Sequence, residues 1–149
     1  MKHILACTAG SEPALAVVRC VIKVVKTFDA KMTVLHLLPR FSLVSSEELE
    51  REGKKALKIF VDAAEKAGLK VDTLLESAED VAQGIVEVAS RIKADLIVVG
   101  AGERPSWYSF PKKDVIGAVM YTADCPVLVL PRVLKRSVFG AAQMTIILS

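Results

Sequence analysis

Two glycine-containing turns hold the residues whose types and spacing could do chemistry in this sequence. The first turn, residues 8–11, is Thr-Ala-Gly-Ser and follows a short apolar run. The second turn begins at Gly100, after the apolar run Leu-Ile-Val-Val. Gly100-Ala-Gly102 matches the start of a dinucleotide-binding fingerprint, but Pro105 stands at the position of its third glycine and no helix is predicted directly after it. The fingerprint is therefore a weak signal, and the turns matter only if the fold brings them together.

The sequence offers few groups for catalysis or metal binding. It has two histidines, His3 and His36, and no Ser/His/Asp arrangement stands out. Its three cysteines, Cys7, Cys20 and Cys125, are widely spaced, and no pair has the spacing of metal ligands. We expect the cysteines to be small buried hydrophobes, and His36, inside an apolar run, to be a core histidine rather than a base. The sequence therefore predicts no catalytic residue, no enzyme activity and no metal site.

Length and composition predict one globular domain around a buried sheet. The 149 residues are 52% hydrophobic and 25% charged, which is an ordinary balance for a folded domain. Aromatic residues make up only 5%, so the core must come mainly from Val, Leu, Ile and Ala. This composition is typical of a parallel sheet that is buried on both faces.

Charge and hydropathy argue against two classes of partner. The formal net charge is only +3. The basic residues Arg51, Lys54, Lys55 and Lys58 fall on one stripe of a predicted helix, which is the usual pattern of a solvated face, so we expect no nucleic-acid partner. No stretch approaches the ~18 uncharged apolar residues of a membrane span, and no signal peptide is recognisable before the first predicted strand. The expected location is the cytoplasm, without a membrane partner.

Strand and helix patterns alternate along the chain. Apolar runs predict strands at residues 4–7, 32–38, 71–75, 95–100 and 126–130. Amphipathic patterns predict helices at residues 12–28, 45–68, 79–93 and 114–122. Such alternation implies parallel strands joined by right-handed crossovers, and therefore an α/β fold with a doubly wound, five-stranded sheet and helices on both faces. A ligand crevice is expected beyond the carboxyl ends of the strands, where the two glycine-containing turns would face one cleft.

Local sequence signals predict which helix residues face the sheet and where the second helix begins and ends. In the first helix, Leu15 and Val18 are among the residues expected to face the sheet. Ser45, with Glu48 three residues later, predicts the N-cap of the second helix. Gly68 predicts the end of that helix.

Four blocks of the sequence resemble the universal stress proteins in order and position. Residues 4–13, Ile-Leu-Ala-Cys-Thr-Ala-Gly-Ser-Glu-Pro, resemble the opening of that family, and residues 34–37, Val-Leu-His-Leu, resemble its second strand. Residues 94–100, Ala-Asp-Leu-Ile-Val-Val-Gly, resemble its fourth strand, and residues 123–130, Ala-Asp-Cys-Pro-Val-Leu-Val-Leu, resemble its closing strand. The resemblance covers residues 1–132. It implies an adenine-nucleotide alpha-hydrolase-like fold with strand order 3-2-1-4-5, a homodimer, and ATP binding in one branch of the family.

The same resemblance divides the chain into two segments. Residues 1–132 form the universal-stress-protein-like domain, and residues 133–149 form an apolar C-terminal extension. Residues 137–149 carry no charge and should not remain in water. They could pack on a twofold interface, add a strand to a neighbour or occupy the cleft, and these alternatives stay open.

The ATP-binding signature of the family is broken in this chain. Where the binding branch has an Asp after the first strand, this sequence has Ala9, which cannot bond a ribose hydroxyl. Gly100 matches the first glycine of the phosphate-binding pattern, but Glu103 occupies the second position and would face phosphates with like charge. Gly117 matches the third glycine only with a loop four residues longer, and Ala118 replaces the hydroxyl-bearing residue that follows. We therefore expect no cofactor and no conventional ATP binding.

A regulator that binds ATP or AMP in a remodelled pocket is the alternative. If nucleotide binding is retained, the resemblance places it at Thr8, Gly10, Leu37, Val99, Gly100, Gly117 and Val119. A third hypothesis is a small-molecule carrier in which the aromatic loop, residues 105–111, forms a lid. The preferred interpretation of that loop is a plug of the vacated cleft, and a different ligand site or a partner surface is the alternative.

The last predicted strand indicates a protein partner. Its four uncharged residues would form one edge of the sheet: Val127, Leu128, Val129 and Leu130. The strand at the other edge is guarded by Lys70 and Asp72, whereas an unguarded apolar edge invites pairing with another chain. Universal stress proteins dimerise through this strand, so pattern and resemblance both predict a homodimer. The preferred function is a dimeric module of stress response or regulation that acts through contacts with an unknown protein partner.

Overall fold

Strands and helices alternate in the computed structural model, which describes residues 2–9, 15–40, 43–100 and 115–130. The strands are β1 (His3–Ala9), β2 (Lys31–Pro39), β3 (Val71–Ala78), β4 (Leu96–Gly100) and β5 (Val127–Leu130). The helices are α1 (Leu15–Thr27), α2 (Ser46–Lys66), α3 (Val81–Arg91) and α4 (Val115–Thr122). Every predicted strand and helix is therefore present, with shifts of a few residues at the ends.

The five strands form one parallel sheet in the order β3-β2-β1-β4-β5. β1 lies at the centre, where Cys7 pairs with Leu35 of β2 on one side and with Val99 of β4 on the other. The predicted fold class and strand order are confirmed. Because all strands run in the same direction, the turns after β1 and β4 leave the sheet at the same edge.

Helices cover both faces of the sheet, and each face has its own apolar core. On one face, α1 and α2 pack on residues such as Ile4, Val34 and Val98. On the other face, α3 and α4 pack on residues such as Leu35 and Ile97. The alternation of side chains along each strand places neighbouring residues in opposite cores. Both faces are buried, as the low aromatic and high aliphatic content predicted.

The first strand is longer than its apolar run indicated. The prediction ended it at Cys7, but the strand continues to Ala9 because Thr8 pairs with His36 and Ala9 pairs with Leu37. The second strand likewise includes Pro39, which was predicted to stop it and instead lies beside Ala78 at the end of β3. Pairing with a neighbouring strand therefore outweighs the local turn signals at both places.

The predicted orientation of one residue in α1 is wrong. Leu15 is 49% exposed, whereas it was expected to face the sheet. Burial in α1 begins at Val18, one turn into the helix, because Leu15 lies in the first turn, beyond the packed layer. Val18 itself is fully buried, as predicted.

The predicted ends of α2 are confirmed. The Ser45 hydroxyl accepts a hydrogen bond from the Glu48 backbone N–H at 3.3 Å, which satisfies one of the free donors of the first turn. Gly68, with φ of 76°, follows the end of the helix in the left-handed conformation that glycine adopts without strain.

Several predictions fall on residues outside the described ranges. They concern the Gly10 turn, Glu103, the aromatic loop at residues 105–111, Asp114 as a helix cap, and the extension at residues 133–149. Within the described ranges, no helix combines the length and the apolar character needed to cross a bilayer.

Candidate functional site

The carboxyl ends of β1, β2 and β4 meet at one edge of the sheet, where the sequence placed a ligand crevice. Ala9 at the end of β1 pairs with Leu37, and Cys7 pairs with Val99, the residue before Gly100. Gly100 is exposed, and a Cβ atom added to it would meet no atom of the described residues within 4 Å. In the sheet, Gly100 pairs with Leu130 of β5.

A buried hydrogen bond joins the end of β1 to β2. The Oγ1 atom of Thr8 lies 2.6 Å from Nδ1 of His36, and the two residues are register partners in the sheet. The same hydroxyl donates a long hydrogen bond of 3.5 Å to the Leu35 carbonyl oxygen. Both Thr8 and His36 are buried. The polar groups of this pair are thus directed towards each other inside the protein.

Burial keeps the His36 imidazole neutral. Only 2% of the residue surface is exposed, and loss of solvation lowers its pKa from 6.5 to about 4. A base at neutral pH needs a pKa nearer the working pH and access to a substrate proton. The interpretation of His36 as a core histidine is therefore confirmed.

Gly53 of α2 is the residue that makes room for His36. A Cβ atom on Gly53 would lie 2.8 Å from Cδ2 of His36 and 2.8 Å from Cδ1 of Leu75. The helix backbone thus approaches the sheet over the imidazole ring. The sequence prediction missed this contact, although a glycine in the middle of an amphipathic helix is a signal for close approach.

Three of the predicted nucleotide-binding residues belong to the core under α3 and α4: Leu37, Val99 and Val119. All three side chains are buried, and Leu37 lies against Gly84 of α3, where an added Cβ would be 3.1 Å from its Cδ1 atom. Thr8, by contrast, points towards the α1 and α2 face with His36 and Gly53. The main chains of the strand residues therefore lie at the carboxyl end of the sheet, while the side chains point into two different cores.

The remaining predicted residues lie around α4. Gly117 is half-buried and Ala118 is exposed, both in the first turns of the helix. Ala118 offers only a methyl group where the family's phosphate-binding pattern has a hydroxyl. Gly10 lies outside the described residues.

The cysteines do not form a reactive or metal-binding group within the described residues. Cys20 is buried, Cys7 and Cys125 are half-buried, and all three are free thiols. Burial raises the pKa of each thiol, and Asp124 and Asp95 raise that of Cys125 further. A thiol with a raised pKa is a poor nucleophile. No set of three His, Cys, Asp or Glu residues in the described ranges could hold a metal ion.

Asp95 has a structural role at the opposite edge of the sheet that the sequence prediction missed. Its carboxylate accepts hydrogen bonds of 2.9 Å from the backbone N–H groups of Lys2 and His3. These two bonds lower the pKa of the carboxyl group. Asp95 therefore fastens the beginning of β1 to the beginning of β4, at the end of the sheet away from the crevice.

The sheet order and the helices on both faces define a doubly wound α/β protein, a class in which ligands bind at the carboxyl edge of the parallel sheet. The Universal stress protein family model matches residues 1–131 of this chain. A curated universal stress protein of Methanocaldococcus jannaschii is 34% identical to it, over 91% of this chain and 85% of that protein. The chain belongs to the universal stress protein family.

Solved structures share the architecture. A universal stress protein from Archaeoglobus fulgidus superposes with a TM-score of 0.68 at 22% identity, covering 87% of this chain and 93% of that one. The universal stress protein from the same organism in complex with dAMP gives a TM-score of 0.65 at 23% identity, covering 87% of this chain and 96% of that one. At these identities the likeness shows the fold, which is adenine-nucleotide alpha-hydrolase-like, as the sequence resemblance implied.

Proposed function

We propose that this chain is a dimeric, non-enzymatic module of the stress response that acts in the cytoplasm through protein contacts and does not bind ATP in the conventional way. Membership of the universal stress protein family supports the stress-response role. The observation that carries the rest is the internal pairing of Thr8 with His36 at the crevice. In the described part of β1, β2 and β4, these two residues supply the polar side chains nearest the carboxyl edge, and Oγ1 of Thr8 is hydrogen-bonded to Nδ1 of His36.

The ribose side of the crevice lacks an acidic anchor. Ala9 ends β1, where the binding branch of the family has an Asp, and a methyl group cannot accept a hydrogen bond from a ribose hydroxyl. Leu37 and Val99 flank this position with side chains that point into the apolar core. Among the described residues at the ends of β1, β2 and β4, a nucleoside would therefore find main-chain groups and no carboxylate.

Two residues of the family's phosphate-binding pattern are also replaced in this sequence. Glu103 replaces a glycine and Ala118 replaces a hydroxyl, and Ala118 is exposed on α4 without a polar atom. A hydrogen bond to a charged group contributes about 1.5–3 kcal/mol. Losing two or three such bonds removes about 4–6 kcal/mol when non-additivity is allowed for, which is roughly three to four decades of affinity. A micromolar triphosphate site would become negligible.

The composition of the outer strand β5 supports the proposed dimer. β5 lies at one margin, and Val127, Leu128 and Val129 are half-buried and uncharged. The opposite margin is different, because Asp72 of β3 pairs with Lys31 at 3.1 Å and places charge along that edge. An unguarded apolar edge favours pairing with another chain. Leu130, the last residue of the predicted interface strand, is fully buried in its own protomer, so it would contribute through its main chain.

The proposal is tested by heating the purified chain with and without millimolar ATP and Mg²⁺. We expect the Tm to be unchanged. A conventional site at about a hundredfold excess of ligand over its Kd would add about 2.7 kcal/mol and raise the Tm by roughly 5–10 °C. The matched control is the double variant Ala9→Asp, Glu103→Gly, which restores two of the missing features and should recover part of that shift. A full shift in the unaltered chain would contradict the loss of ATP binding.

Nucleotide binding in a remodelled pocket is the second candidate, and one observation favours it. The Archaeoglobus fulgidus structure of the same fold holds dAMP, a monophosphate. A monophosphate makes fewer demands on the positions of Glu103 and Ala118 than a triphosphate does, and Gly100 is exposed at the end of β4. A Tm that rises with AMP but not with ATP would favour this candidate over the first. A Tm that neither nucleotide changes would leave the first proposal standing.

A further inference from the structure

The outer face of α4 is apolar and exposed. Residues 115–123 contain no charged side chain. Val119 is fully buried on the inner side, whereas Met120 is 58% exposed and Tyr121, on the opposite side from Val119, is 92% exposed. The outer faces of the other helices carry charges, such as Arg19 on α1 and Glu87 on α3. A solvent-facing helix without charge is unusual and marks a surface that something covers.

This surface continues onto the last strand. Val115 and Ile116 of α4 are partly buried at the margin of the core under α3 and α4, and so are Val127 and Val129 of β5. The helix and the edge strand thus form one uncharged patch, the α4–β5 patch. It is separate from the crevice residues Thr8 and His36, which lie on the other face of the sheet.

We propose that residues 137–149 of the same chain cover the α4 side of this patch. β5 ends at Leu130, at the edge of the sheet where α4 begins, so the chain continues beside the patch. The six residues 131–136 can reach about 20 Å, and α4 is about 12 Å long, so the following segment can lie along the helix. Residues 137–149 contain no charged side chain, and the basic residues just before them are Arg132, Lys135 and Arg136.

The physical argument for this occupant is mutual burial. The extension and the α4 surface are both apolar, and one contact removes both from water. A segment tethered a few residues away is present at an effective concentration in the millimolar range, so it competes well against a second copy or another protein. This inference concerns a different surface from the crevice and stands whether or not a nucleotide binds.

Photo-cross-linking of the full-length chain tests the contact. Benzoylphenylalanine replaces Tyr121, and trypsin then cleaves after Arg136 to release residues 137–149 as one peptide. We expect this peptide to be the main cross-linked partner. An equal mixture of isotopically light and heavy protein separates contacts within one chain from contacts between copies, and we expect unmixed products.

The control places the same cross-linker at Leu43, which is 93% exposed on the segment before α2, and it should not capture residues 137–149. Mixed-isotope products would overturn the proposal in favour of a second copy. Capture of residues 105–112, or capture of the 137–149 peptide equally from Leu43, would overturn it as well.

Hydrogen exchange of point variants provides a second measurement. Because Tyr121 is almost fully exposed, Tyr121→Asp should leave the fold intact, which unchanged exchange in β4 would verify. The rate of amide exchange in residues 137–149 should then rise roughly tenfold, because the amides of a docked segment exchange mainly when the segment opens. Leu43→Asp should leave it unchanged. Equal exchange in the unaltered chain and in Tyr121→Asp would overturn the proposal.

Discussion

A buried threonine–histidine pair lies at the carboxyl ends of β1 and β2. Thr8 and His36 are 2.6 Å apart at Oγ1 and Nδ1, and both lie beneath α2. Their hydrogen bond satisfies the Thr8 hydroxyl and Nδ1 of His36 inside the protein, so it stabilises the junction of β1 and β2. The imidazole must stay neutral there, because a charge in this environment would lose its solvation.

The stability of the protein should therefore fall in mild acid. The folded state holds the pKa of His36 at about 4, below its ordinary value of 6.5, so the unfolded chain binds more protons between these values. The free energy of unfolding should drop as the pH falls from about 6.5 towards 4. Protonation of His36 should account for about 3 kcal/mol of that drop. Urea unfolding across that pH range measures the slope.

Two histidine variants identify the source of this slope. His36→Gln keeps a side chain that can hydrogen-bond to Thr8 but cannot titrate, so it should flatten the decline. His3→Gln, at the other end of β1, should keep it. An equal decline in the His36→Gln variant and in the unaltered protein would show that other groups cause the acid sensitivity.

At the scale of elements, α2 lies unusually near the sheet at one point. Gly53 faces His36 and Leu75, with no space for a side chain. The helix ends are set by Ser45 and Gly68, so the glycine in the middle has a packing role and not a terminating one. Close approach over the imidazole excludes water from the Thr8–His36 bond.

Gly53→Ala should destabilise the protein, although the same change in an exposed helix stabilises it. The added methyl group would lie 2.8 Å from two side-chain carbons, and overpacking of this kind costs about 1–3 kcal/mol. Lys55→Ala, on the exposed side of α2, should change the free energy of unfolding by less than about 0.5 kcal/mol. A Gly53→Ala variant more stable than the original in urea would contradict the observed packing.

Most of the fold was predictable from hydrophobic periodicity, and the shortfalls have physical causes. The runs around Val98 and Val34 predicted buried strands, because both faces of a parallel sheet are apolar. The end of β1 was not predictable, since Thr8 and Ala9 look like a turn until their pairing with β2 is known. The Thr8–His36 bond and its dependence on Gly53 were missed for the same reason, because contacts between distant residues leave no local pattern.

At the scale of the whole molecule, the two margins of the sheet differ. β3 carries the Asp72–Lys31 ion pair, whereas β5 is a short apolar strand with half-buried side chains. The proposed dimer would join two β5 strands and leave both β3 edges outside. In that proposed arrangement the charged outer margins would limit association to two copies.

Val129→Lys should dissociate this dimer. A lysine on the edge of β5 places a charge in an apolar interface, and the cost should weaken association by at least roughly tenfold, or about 1.4 kcal/mol. Sedimentation velocity should show a dimer for the unaltered chain and a monomer for the variant at the same concentration. Thr73→Lys, exposed on β3, is the control and should remain dimeric. A monomeric unaltered chain, or a dimeric Val129→Lys variant with intact circular dichroism, would contradict the β5 interface.

The central position of β1 has a consequence for synthesis on the ribosome. β1 is the first strand to emerge, but its second neighbour, β4, begins at Leu96, and the Asp95 carboxylate that holds its backbone comes just before. Until Leu96 and the residues after it have been translated, one side of β1 has no native strand to pair with. The nascent protein therefore carries an unpaired strand edge through the synthesis of β2, β3 and the helices between them, at the strand that lies at the centre of the folded sheet.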